Sequence, residues 1–215
     1  MPMPTTSRQA ERSHRSSEAL LDAAAELISE GGLGSMTFAA IGDRAGYSRG
    51  LVTARFGSKA GLVDALVRRV WGRLREARAV PLAHGEHGLD ELVGLIAAIR
   101  DQTSENPRDV GALLALMFEA LGTDPELRTR MASFHENMRA DIADALARGI
   151  ADGSVRADVD PAAGAVLVVA ALRGFAYQWL LDRDAIALEQ AYGELIELVR
   201  DRYGAHAERT ASVAR

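Results

Sequence analysis

Residues 37–59 read TFAAIGDRAGYSRGLVTARFGSK. The stretch divides into two short helices, about 38–44 and 49–56, followed at once by the start of a third at Lys59. Thr37 and Ser48 are good N-caps, because a short side-chain oxygen can accept from an otherwise unpaired N–H of the first turn. Phe38, Ile41 and Ala45 fall on one face of the first helix, and Val52 and Phe56, four apart, on one face of the second. Gly46 can take the left-handed conformation that ends a helix, and Gly57-Ser58 stops the second helix and caps the next. Isolated helices below about 12–15 residues are marginal in water, so neighbouring helices must clamp both. The second helix then presents Arg49, Gly50, Leu51, Thr53, Ala54 and Arg55 outward. That is the arrangement of a helix-turn-helix whose second helix enters the major groove of DNA.

Two cations sit at the wrong ends of helices. Arg49 and Lys59 each follow a capping serine, beside the positive end of a helix dipole, where a cation costs about 0.3–1 kcal/mol. Lys59 is also the only lysine in the chain. Both positions make sense if an external anion approaches the two N-termini, and a DNA phosphate is the natural candidate. Thr37 caps a helix whose N-terminus would meet the same backbone.

The segment resembles the DNA-binding domain of the tetracycline-repressor (TetR) family of bacterial regulators. The resemblance is carried by Thr37, Ile41, Ala45-Gly46, Ser48, Gly50, Phe56, Ser58-Lys59 and Leu62, and upstream by the helix Ala19–Ile28 with Gly31-Gly32. It covers about residues 14–75. Four positions depart from the family pattern, one of them Ala60, where the family often has an acidic residue that would stabilise the start of the fourth helix. The family usually has an aromatic at 53, often an aromatic or histidine at 55, and often a small polar residue at 51. Here they are Thr53, Arg55 and Leu51. The base contacts are therefore this chain's own: Arg49 or Arg55 can bond guanine in bidentate fashion, and Leu51 or the Thr53 methyl can touch a thymine methyl.

Composition and charge bound the function. The chain has 215 residues and no cysteine, which excludes disulfides and thiolate metal sites. The net charge of −5 is unevenly divided. Residues 1–80 hold twelve Arg or Lys against eight Asp or Glu, a balance of +4, and residues 81–215 hold thirteen against twenty-two, a balance of −9. Only the front half is suited to meet phosphate. Met1–Arg15 lacks the apolar core of a signal peptide. The longest apolar run, Ala162–Leu172, falls short of the ~20 residues a bilayer requires. The expectation is a cytoplasmic protein with no membrane partner.

Behind residue 80 a Gly/His/Pro-rich break (Pro81–Gly88) leads into further helices. Leu89, Leu92, Ile96 and Ile99 form one stripe, and Val110–Leu121, apolar nearly all round, is expected to be a buried central helix. Leu127, Met131, Phe134, Met138, Ile142, Leu146 and Ile150 form a longer stripe ended by Asp152-Gly153. Asp160-Pro161 opens the next helix, and Leu188, Tyr192, Leu195, Val199 and Tyr203 line the last. Val166–Trp179 carries apolar residues on more than one face, which predicts a two-fold dimer through about residues 162–203. The TetR resemblance implies the same pairing. A candidate effector pocket comprises Leu95, Ile99, Met117, Phe118, Phe134, Met138, Tyr177 and Trp179, with His135 and Arg173 as polar members. Such stripes also serve as plain core, and Arg173 also suits an internal salt bridge. Glu119 and Gln178 are further polar groups among apolar neighbours.

His84, Glu86 and His87 lie in the glycine-rich break without a fixed geometry, so no metal site is expected. No nucleophile elbow or phosphate-cradling loop is present, so neither an enzyme nor a bound cofactor is expected. The expected fold is all-α with about nine helices: an arm over 1–14, a helix-turn-helix domain with its connecting fourth helix over 15–80, a helical effector and dimerisation domain over 81–205, and a tail over 206–215. The expected function is a ligand-responsive regulator, acting as a repressor on a near-palindromic double-stranded operator and released by a small, largely apolar effector. The alternative is a helical dimer that binds a small molecule or protein without sequence-specific DNA binding.

Overall fold

The computed structural model describes residues 5–82 and 88–205, with side chains over 9–74 and 88–205. Nine helices occur among the described residues: α1 Thr5–Ser35, α2 Phe38–Ala45, α3 Arg49–Phe56, α4 Lys59–Leu82, α5 Gly88–Glu105, α6 Pro107–Glu119, α7 Pro125–Asp152, α8 Pro161–Leu181 and α9 Leu188–Tyr203. The all-α class is as expected. The break at Pro81–Gly88, with His84, Glu86 and His87, falls largely outside the described residues, as does the tail from residue 206.

The helices form two compact units. One contains the described residues through Arg73 together with Asn106–Phe134; the other contains Leu74–Glu105 and the chain from His135 onward. This differs from a simple division near residue 80, because α6 packs along α1 and so belongs with the helix-turn-helix.

In the first unit, Leu20, Ala24, Leu27 and Ile28 make the buried stripe of α1, and Ile41, Val52 and Leu62 bring one anchor each from α2, α3 and α4. Helix α1 begins at Thr5, so most of the stretch expected to be an arm is helical. It is interrupted at Gly32 (φ 69°), and there the Leu33 N–H donates to both Glu119 oxygens at 3.0 and 2.9 Å. Glu119 is thereby explained as a cap joining α6 to α1. The buried Arg69 of α4 donates to Asp22 at 2.8 Å and to Asp109 of α6, while Arg73 reaches Asp109 at 2.6 Å and Asn106 at 2.9 Å. Helix α6 is not buried all round: Val110, Leu113 and Leu116 face inward, but Phe118 is 54% exposed. Phe118 lies two residues past Leu116, about 200° around a helix of 3.6 residues per turn.

In the second unit, Leu92, Ile96, Ile142, Leu146, Leu172, Tyr192 and Val199 form the core from α5, α7, α8 and α9. The Tyr192 ring packs tilted against Phe175, centroids 5.7 Å apart, and its hydroxyl donates to the Leu172 carbonyl at 3.3 Å. Asp160 caps α8 by accepting from the N–H of Ala162 and Ala163, as its position before Pro161 predicts. Contrary to the expectation from Ala162–Leu172 alone, α8 as a whole is long and apolar enough to cross a membrane by length and composition. Val168, Val169, Leu172 and Ala176 are buried on one side of it, and a core helix passes that test equally well.

Candidate nucleic-acid interface

The helix-turn-helix is held by short-range hydrogen bonds that its caps dictate. The Thr37 hydroxyl accepts from the Ala40 N–H at 3.1 Å, Ser48 from Leu51 at 3.2 Å, and Ser58 from Gly61 at 3.0 Å. At the end of α2, Gly46 adopts φ 74°, and the N–H groups of Tyr47 and Gly46 return to the carbonyls of Gly42 and Asp43. This is a Schellman closure. Gly42 is needed for another reason: a Cβ there would lie 2.7 Å from the Tyr47 carbonyl oxygen, so only glycine lets the turn close against α2. These contacts fix the direction in which α3 projects.

On α3, Val52 is fully buried and Phe56 half-buried, while Arg49, Gly50, Thr53, Ala54 and Arg55 are exposed. Leu51 is half-buried, so it sits at the edge of the outward face. Thr53 donates its hydroxyl to the Arg49 carbonyl at 3.1 Å. That bond occupies the Thr53 proton and leaves the methyl as its outward group. Arg55 turns back on α1 and donates to Ser13 at 2.5 Å and Ser16 at 3.2 Å. Lys59 is exposed at the start of α4.

The electrostatics separate this face from the rest of the unit. Arg44 pairs with Glu30 at 2.6 Å, Arg108 with Glu26 at 2.8 Å, and Arg130 with Asp64; Arg69 and Arg73 are spent on Asp109. Arg49, Arg55 and Lys59 make no ion pair with a described carboxylate, and neither do Arg12 and Arg15 on α1. Arg12, Arg15 and the exposed Tyr47 lie beside Arg55 and extend the site beyond the residues expected from the helix-turn-helix. The signal was present in the spacing of Arg8, Arg12 and Arg15, four and three apart, which puts them on one helical face.

Residue spacing, the cap chemistry and the all-α architecture agree with two family models. Residues 20–66 match the model described as bacterial regulatory proteins, tetR family, and residues 88–195 match the tetracyclin repressor-like C-terminal domain. This chain belongs to the TetR family. Its members are DNA-binding regulators rather than enzymes. Among curated relatives, this TetR-family chain is 38% identical over 80 residues to the HTH-type transcriptional regulator BetI of Escherichia coli, covering 35% of this chain and 41% of BetI. The chain thus matches about two-fifths of the length of those relatives. Among solved structures, it is similar to a TetR transcriptional regulator from Chloroflexus aurantiacus (26% identity, TM-score 0.74, 91% of this chain and 99% of that one). It shares its fold with SmeT of Stenotrophomonas maltophilia, solved in complex with triclosan (21% identity, TM-score 0.72, 90% and 93% coverage).

The candidate effector residues fall in both units. Met117, Phe118 and Phe134 belong to the first, where Phe134 is buried against the Trp71 ring at 5.2 Å. In the second, Leu95, Ile99 and Met138 are buried, whereas Tyr177, expected on an inward face, is 41% exposed. The inward face of α8 runs through Val168, Leu172 and Ala176, and Tyr177 is one residue, about 100°, off it. Trp179 carries the Arg183 guanidinium over its ring at 4.6 Å. Arg173 lies 3.1 Å from the Met138 sulfur, and burial pushes its guanidinium down to about 10. Burial, then Arg173 and Arg139, hold His135 below the usual histidine value.

Proposed function

We propose that this chain is a ligand-responsive DNA-binding transcriptional regulator, a repressor that grips a near-palindromic operator as a homodimer. The observation that carries the reading is the unneutralised charge on one face. Arg49, Arg55 and Lys59 surround the outward side of α3 without a described carboxylate partner, while Arg44, Arg69, Arg73, Arg108 and Arg130 of the same unit are ion-paired. A duplex carries about one charge per 1.7 Å of axis, which supplies the missing counter-charge.

In this reading α3 enters the major groove. Arg49 reads a base edge, Leu51 and the Thr53 methyl contact apolar base surface, and Thr37, Ser48, Lys59, Gly50 and Ala54 approach the backbone or leave room for it. Arg55 is oriented by Ser13 and Ser16 before DNA arrives. The effector is small and largely apolar, and within the second unit Leu95, Ile99, Met138 and Arg173 are the candidates to hold it. SmeT, which shares the fold, was solved with triclosan, and that protein supplies the analogy. An effector that binds one conformation better than the other must shift operator affinity by the ratio of its two affinities.

Selection of bound fragments from genomic DNA, followed by gel shift on the enriched site, tests this directly. Arg49→Ala should cost about 1–3 kcal/mol on that site and relax preference at one base pair per half-site. Selection that enriches no sequence, or an Arg49→Ala variant with unchanged base preference, would sink the assignment of α3 as the reading helix.

A further inference from the structure

We infer that the amino-terminal turns of α1 are a second DNA-contacting element, in which Arg12 and Arg15 grip the sugar–phosphate strand beside the groove that α3 reads. The inference rests on the reading of α3 given above and extends it to an element outside the helix-turn-helix. A groove lies between α1 and α3; its eight lining residues include Arg12, Arg15 and Arg55, with Gln9, Tyr47 and Leu51, and none of the eight is acidic. Glu11, the one carboxylate in residues 5–16, does not line it.

Three guanidiniums gathered in one groove repel one another, and arginine remains protonated at any physiological pH. Elsewhere in this unit Arg44, Arg69, Arg108 and Arg130 are neutralised by carboxylates, and Arg128 is held by the backbone carbonyls of Ala120 and Gly122. In the groove Arg55 meets only the neutral hydroxyls of Ser13 and Ser16, which orient the fork and leave its charge intact. Such an arrangement is preorganised for an anion. The planar fork of arginine matches a phosphate in bidentate fashion, and two arginines three apart on a helix face stand about 5–6 Å apart at Cβ. Tyr47, 38% exposed at the turn before α3, adds a phenolic donor at the same edge. The groove is continuous with α3 through Leu51 and Arg55. The strand it holds is therefore part of the same duplex, not a separate ligand.

The experiment compares the parent with Arg12→Ala/Arg15→Ala and Arg12→Lys/Arg15→Lys in a salt titration, on the selected operator and on a scrambled duplex. Both residues are exposed, and alanine and lysine both favour helix, so α1 is kept. Two phosphate contacts predict a slope of log K against log salt shallower by about 1.8 per protomer in the alanine variant. Affinity should fall by the same factor on both duplexes, and the lysine variant, which keeps the charge, should restore the parent slope. An unchanged slope in the alanine variant overturns the inference while leaving α3 as the reader. So does a salt slope that lysine fails to restore. A parent that binds neither duplex overturns both readings together.

Discussion

A Cβ built on Gly50 meets only the Ser48 hydroxyl, at 3.7 Å, so the fold has room for a side chain that this position does not carry. Glycine inside a helix costs roughly 0.5–1 kcal/mol relative to alanine. The cost has a use if the bare backbone at the start of α3 lies against DNA. Gly50→Ala should therefore raise the melting temperature slightly and weaken operator binding, two effects of opposite sign from one methyl. Thermal melts and fluorescence anisotropy on the same preparation separate them. Stability and affinity rising together would mean that nothing approaches Gly50. Thr53 illustrates a different constraint at this scale. Its hydroxyl proton is held by the Arg49 carbonyl, so discrimination there comes through a methyl contact.

Among the elements, α6 is tied to α1 and α4 by the Asp109 carboxylate, which accepts from both Arg69 and Arg73. Arg69 and Asp109 are both buried, and without the Asp109 anion Arg69 keeps only Asp22 and Glu18 as carboxylate partners. Asp109→Ala should destabilise the chain, by less than the ~3–5 kcal/mol of a fully uncompensated buried charge, read as a lower denaturant midpoint, whereas Asp109→Asn, which keeps a hydrogen-bond acceptor, should cost less still. Equal and small losses in both would show that the pair contributes little. What the sequence revealed and what it hid follows from range. The caps at Thr37, Ser48, Ser58 and Asp160 and the turn at Gly46 were legible because each bond closes within a few residues. The tie from Arg55 to Ser13 spans 42 residues and that from Leu33 to Glu119 spans 86, and no local pattern encodes either. For the same reason α6 read as a uniformly buried helix: its apolar residues were visible, but not the outward turn of Phe118. The Arg12 and Arg15 face was visible as spacing, yet the stretch lacks the apolar stripe by which helices are recognised.

For the whole molecule the question is how two reading helices come to act together. One two-turn helix contacts too few base pairs for a useful specificity ratio, so a regulator of this kind needs a partner copy. Helix α8 offers a face for it. Val166, Leu167, Tyr177 and Leu181 remain exposed, with Ala170 and Gly174 between them, and Leu198 of α9 is exposed as well. Val166, Ala170, Gly174, Tyr177 and Leu181 recur at spacings of four, four, three and four, which makes one continuous stripe. Small residues at its centre allow close approach by a second helix. Val169 is not on this stripe: it is buried within its own unit, so a charge there would unfold the chain rather than part a dimer. Val166, the first residue of the stripe and 55% exposed, is the informative position. Val166→Asp should leave helical content unchanged and convert a dimer at micromolar concentration into monomer in sedimentation velocity. Operator affinity should fall in the same variant, because each half-site then binds without its neighbour. A parent chain that sediments as a stable monomer would refute the pairing, and a monomeric variant with undiminished operator affinity would show that pairing is not what gives the protein its hold on DNA.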